Sequence, residues 1–211
     1  MPSRTRIGNG SVKSVRSLVA FLGLTAILSG CAAIPGLGPG ALDTYELTNP
    51  SFAAVGRAKT RRQILIAEPT ALKSLDGQNI VVKPTPSSIE FLGGAQWGDR
   101  LPKVIQARLA EAFQKSGKFG GVGRPGEGLA IDYQISVDIR AFEIRATGGQ
   151  TAHVEFFVRI LNDRNGVVRA SRGFEAAVPV VGTGNDAFVA ALDRAFADVT
   201  AALVNWAVSA I

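Results

Sequence analysis

Cysteine is almost missing from this chain. Cys31 is the only one in 211 residues, which rules out an internal disulfide and a thiolate metal cluster. Histidine is as scarce, with His153 alone. Without a second histidine or a free thiol, a metal site or nucleophilic triad lacks its parts. No serine sits in a Gly-x-Ser-x-Gly elbow. Acidic residues are absent before Cys31, and no apolar run after it reaches the roughly 20 residues that a membrane helix needs.

The N-terminus carries the strongest positive signal. Arg4, Arg6, Lys13 and Arg16 precede an eleven-residue apolar run, Leu18 to Leu28. That run is too short to span a bilayer and has the length of a signal-peptide core. It ends in Leu28-Ser29-Gly30-Cys31, the pattern of a lipobox. Small residues before the cut let the backbone lie extended in a peptidase, and the thiol accepts a diacylglyceryl group. Several acyl chains then anchor the protein, each buried methylene contributing about 0.8 kcal/mol. The expected organisation is a lipoprotein signal peptide over 1–30, a lipidated Cys31 with a Gly/Pro-rich tether over 31–43, and one domain over 44–211. The formal charge of +6 owes much to the leader. Removing its four cations takes 23 basic residues to 19, against 17 acidic ones. A mature charge of +2 gives no case for nucleic acid as a partner.

Residues 44–211 read as a mixture of strands and helices. Ile64-Leu65-Ile66 is a short buried strand before Pro69, and Asn79–Lys83 is another, stopped by Pro84 and Pro86. Ser88–Leu92 is extended and is expected to end at Gly93-Gly94. Leu101, Ile105, Leu109, Ala112 and Phe113 recur at helical spacing, predicting a helix over about 100–116. Asp99 is its expected N-cap, Pro102 fits its first turn, and Gly117 suits its left-handed C-terminal residue. A short run around Phe119–Val122 follows. Ile131, Tyr133, Ile135, Val137 and Ile139 then alternate with polar residues, as in a strand with one buried face. Phe142 and Ile144 are out of phase by one, which predicts a β-bulge near Arg140-Ala141. Strands over about 151–161 and 167–178, joined by Asn165-Gly166, complete a meander. A terminal helix capped by Asn185 carries an apolar stripe from Phe188 to Trp206. The fold class is α+β: a single mixed, largely antiparallel sheet of five to six strands with two amphipathic helices packed on it.

Few residues invite a chemical role. His153 is out of phase with its strand's apolar face, so it points to solvent or to the sheet's far side. Gly121 to Gly126 matches Gly-x-Gly-x-x-Gly, but Pro125 intervenes and a strand follows, so it is a loop. Gly182 to Asp186 precedes a helix, yet it lacks a P-loop lysine and reads as a capping turn. Asp132 and Asp138 share a strand face about 20 Å apart, too far for an acid–base pair. Phe91 and Trp97 flank a Gly-Gly pair. They are the candidates for binding a partner, with core packing the competing role for Trp97. No catalytic residue, metal or cofactor is expected, and Cys31 is the lipidation site.

The order of these elements resembles the ABC-type transport auxiliary lipoprotein family. The resemblance is carried by the lipobox and tether, Tyr45-Glu46-Leu47, Ile80–Lys83 and Ile89-Glu90-Phe91. It continues through Trp97-Gly98-Asp99-Arg100-Leu101-Pro102, Phe142-Glu143, the Asn162–Gly166 turn and an Ala-rich last helix. It implies a non-catalytic envelope component that docks with an MCE-domain periplasmic protein and its ABC permease and ATPase. Such systems move phospholipid or other hydrophobic molecules between inner and outer membranes. Ala32, where an Asp would favour the inner membrane, points to the periplasmic face of the outer membrane, with the inner membrane the alternative. Read without that resemblance, the same leader and domain also suit a lipoprotein assisting outer-membrane barrel or cell-wall assembly.

Overall fold

The computed structural model describes residues 42–49 and 60–211. The signal peptide expected over 1–30, Cys31 and most of the tether lie outside the described residues.

The longest strands fix the architecture. Tyr133–Arg145 pairs antiparallel with Thr151–Asn162, which pairs antiparallel with Val168–Pro179. The expected bulge is present, as a register shift between Ile139 and Ala141. The other edge of Tyr133–Arg145 accepts three short segments in succession, all parallel to it: Gln63–Ile66, Thr70–Ala71 and Asn79–Lys83. Glu90–Trp97 pairs antiparallel with Asn79–Lys83. Two small parallel strands finish the sheet, Asp43–Tyr45 on Glu90–Trp97 and Gly121–Gly123 on Gln63–Ile66. In chain order these are β1 (43–45), β2 (63–66), β3 (70–71), β4 (79–83), β5 (90–97), β6 (121–123), β7 (133–145), β8 (151–162) and β9 (168–179).

The sheet is mixed and its long ladders are antiparallel, as expected, but among the described residues it has nine strands rather than five or six. The additional ones, β1, β3 and β6, have two or three residues each. Such segments are too short to show a period and exist only because a longer neighbour supplies their hydrogen bonds.

Two helices lie on one face: α1 (Leu101–Ser116) and α2 (Gly184–Ala210). Gly117 ends α1 at φ 61°, its N–H reaching Gln114 O. The N-termini differ from expectation. Arg100 rather than Asp99 occupies the cap position of α1, and no side chain caps it. Asp99 Oδ1 instead accepts the Arg100 N–H at 2.7 Å, and the Leu101 N–H donates to Gly77 O at 2.9 Å. In α2 the cap position is Thr183, also without a side-chain cap bond. Asn185 lies inside the helix, where its Nδ2 donates to Gly93 O at 3.1 Å. The Leu101 N–H is thus satisfied by the turn at Gly77 in place of a side-chain cap, while the Asn185 side chain ties the start of α2 to β5.

The core lies between sheet and helices. Phe156 and Phe142 from the sheet both meet Phe196 of α2 at 6.3 Å, and Trp97 stands edge-on to Phe142 at 5.7 Å. Ile135, Val137 and Ile139 face the same layer as Ile105 and Leu109 of α1, all buried.

Candidate functional site

The face of the sheet turned away from the helices holds the polar groups of interest. A single row crosses four ladders there: Phe91 opposes Val81, Val81 opposes Glu143, Glu143 opposes His153, and His153 opposes Ala177. Residues in register across a sheet project from one face, so these side chains form one stripe.

Trp97 is not part of it. Phe91 and Trp97 are six residues apart, and a regular strand would put both on one face. Between them β5 is bulged: Phe91 opposes Val81, yet Gln96 opposes Asn79. Five residue steps along β5 thus match two along β4. Gly94, at φ 73°, sits in the bulge, a conformation that glycine adopts without a Cβ clash. The phase flips and Trp97 turns into the core, 1% exposed, while Phe91 stays outside at 51%. The surface role expected for the pair is therefore open to Phe91 alone; Trp97 takes the core position. The strand also does not stop at Gly93-Gly94, because the bulge absorbs both glycines without breaking the ladder.

His153 is on the far side of the sheet, and it is buried, only 2% exposed. Its Nδ1 lies 3.5 Å from Glu175 and its Nε2 3.9 Å from Glu155, and Nε2 has no hydrogen-bond partner. Burial holds the imidazole below its ordinary pKa, and Arg145 pushes the same way, against Glu175, Glu143 and Glu155. Glu143 is buried beside it and accepts the Arg145 Nε–H at 2.9 Å, with Lys83 Nζ at 3.9 Å. The contacts of the buried Glu143 and His153 were not legible in the sequence; the alternation of β8 offered solvent or the sheet's far side for His153, and it lies buried on the far side.

The remaining candidates are structural. Asp132 accepts the Gln63 N–H at 2.9 Å and pairs with Arg62 at 3.2 Å. Those contacts, the backbone one foremost, hold its carboxyl below the usual range. Asp138 is 3.7 Å from Arg140, so the two aspartates serve separate pairs. Gly121–Gly123 is strand β6, and the turn after it is closed by Arg124 and Glu127 at 3.1 Å. Asp186, at the start of α2, accepts the Tyr45 hydroxyl at 2.7 Å, so no anion has that helix end to itself. Among the described residues, no group of three or more His, Cys, Asp or Glu could hold a metal ion. No described helix is long and apolar enough to cross a membrane.

The described residues form an α+β domain, a mixed sheet with both helices on one face and a row containing Glu143 and His153 on the other. The chain belongs to the family described as the ABC-type transport auxiliary lipoprotein component, whose model matches residues 45–204. An uncharacterised protein of Bradyrhizobium diazoefficiens is 33% identical over 89% of the chain, which spans about half, 51%, of that relative's length. A crystal structure of a Xanthomonas campestris protein superposes with a TM-score of 0.73 at 29% identity, covering 79% of this chain and 95% of that one. A second solved structure, of an uncharacterised protein, shares the fold at a TM-score of 0.64 and 15% identity, covering 79% of this chain and 99% of the other.

Proposed function

We propose that this protein is the non-catalytic lipoprotein of an MCE-type ABC transport system. That system would carry phospholipid or other hydrophobic molecules between the inner and outer membranes. The observation that carries this reading is the family match over 45–204 behind a Leu-Ser-Gly-Cys lipobox ending at Cys31. Lipid on Cys31 holds the protein at the periplasmic face of the outer membrane. The folded domain then docks with the periplasmic MCE protein, and the permease and ATPase supply the energy.

Crosslinking in intact cells, followed by solubilisation and mass spectrometry, tests the assignment, with Cys31→Ala as control. Recovery of an MCE protein with its permease and ATPase supports it. Recovery of barrel-assembly or cell-wall proteins in their place sinks it while leaving the lipoprotein assignment standing.

A further inference from the structure

β4 and β7 run parallel and end at the same rim, with Lys83 and Arg145 in direct register. Like charges placed side by side across a ladder repel. Glu143 lies between them and compensates one of the two. It takes the Arg145 Nε–H, while Lys83 comes only within 3.9 Å. The terminal nitrogens of Arg145 and the Lys83 ammonium donate no other hydrogen bond among the described residues. One positive charge and several N–H donors are left facing a recess of about 350 Å³, lined by Lys83, Thr85, Pro86, Arg145 and Thr147. The recess walls are set by the chain: Thr147 Oγ1 donates to Pro84 O at 3.3 Å, and Thr85 and Ser88 hydroxyls meet at 2.7 Å. Apolar side chains stand beside the cations. Phe91 opposes Val81, two residues from Lys83 on the same strand face. Phe91 and Ile89 are about half exposed.

We infer that this recess binds a phosphate group, held by the Arg145 guanidinium and the Lys83 ammonium, with Phe91 offering an apolar surface to whatever the phosphate is attached to. A guanidinium donates to two phosphate oxygens at once, and an ammonium adds a point charge. The chemistry suits both free phosphate and the headgroup of a phospholipid. The site does not depend on the transporter reading: a chain that recovers no MCE partner in cells would still bind phosphate here.

Calorimetric titration of the purified full chain with two probes tests this. One probe is inorganic phosphate; the other is a short-chain phosphatidylglycerol below its micelle concentration. Both are expected to bind the wild type, and Lys83→Gln to weaken each about tenfold, as loss of one charge-assisted contact does. The paired variant Glu143→Gln/Arg145→Gln removes the guanidinium without stranding a buried carboxylate, and is expected to lose binding too. Lipid bound more tightly than phosphate, with the gain abolished in Phe91→Ser, identifies the headgroup as the source. Equal affinities untouched by Phe91→Ser identify free phosphate. Absence of binding to either probe, or affinities retained in both cation variants, overturns the site.

Discussion

Glu143 and His153 face each other across the β7–β8 ladder, and both are buried, at 6% and 2% exposure, on the side of the sheet away from α1 and α2. An acid and a base in register would ordinarily share a proton or a salt link. Here Glu143 is engaged with Arg145 and Lys83, and burial pushes the imidazole's pKa down.

That arrangement makes stability depend on pH. The unfolded chain takes up the His153 proton near the ordinary value of 6.5, and the folded chain does so only at lower pH. Below that value the unfolded state binds more protons, so stability falls as pH drops and is full above it. Urea midpoints measured across this range are expected to decline on the acid side for the wild type. In His153→Gln the decline that begins near 6.5 should disappear. A wild type whose midpoint is flat there would contradict the burial of this side chain.

Tyr45 reports on the joint between β1 and α2. Its hydroxyl donates to Asp186 Oδ1, and that bond, more than partial burial or the charges of Asp186 and Asp43, pushes the phenol up to about 12. Asp186→Asn is expected to bring it back toward 10 in an ultraviolet titration of phenolate. The stability this contact adds is present below the unfolded value of 10 and is lost as pH rises toward 12.

Phe91 and Trp97 should respond in opposite ways to truncation. Trp97→Ala opens a cavity against Phe142 and is expected to cost about 3–5 kcal/mol in chemical denaturation. Phe91→Ser, at a half-exposed position, should stay within about 0.5 kcal/mol. Comparable losses would mean that the β5 bulge does not turn the strand over.

The bulge itself can be tested at Gly94. A Cβ at its φ of 73° is strained whatever the space around it. Gly94→Ala is expected to destabilise by about 1–2 kcal/mol. Gly93→Ala has no positive φ and no atom within 4 Å of its added Cβ, so it should cost less.

Sequence patterns read well wherever a segment was long enough to repeat itself. The thirteen residues of β7 showed their alternation and the slip at Arg140-Ala141, and α1 showed its stripe and its closing Gly117. Segments of two or three residues carry no period, so β1 and β3 were invisible until β5 and β7 supplied their partners, and β6 showed only as a short run around Phe119–Val122. The glycines of β5 looked like a stop because a bulge and a turn use the same residue. Asp99 and Asn185 looked like caps, but each bonds backbone beside or beyond its helix start. For His153 alternation offered solvent or the sheet's far side; the far side holds, and its burial there depends on strands far away in the chain. The pairing of Lys83 with Arg145, 62 positions apart, has no sequence signature.

The joint at β1 bears on mechanics. If Cys31 is the anchor, any tug between membrane and partner enters the domain through Leu42 and passes first into β1. Its three residues pair alongside β5, so a pull along the strand shears those rungs together instead of peeling them singly. Behind them, Thr48 grips Asp193 through its N–H at 2.8 Å and its hydroxyl at 2.6 Å, and Tyr45 holds Asp186. The strain is delivered to the N-terminal half of α2, at Asp186 and Asp193, so the chain entrance behaves as a bolted bracket and not as a hinge.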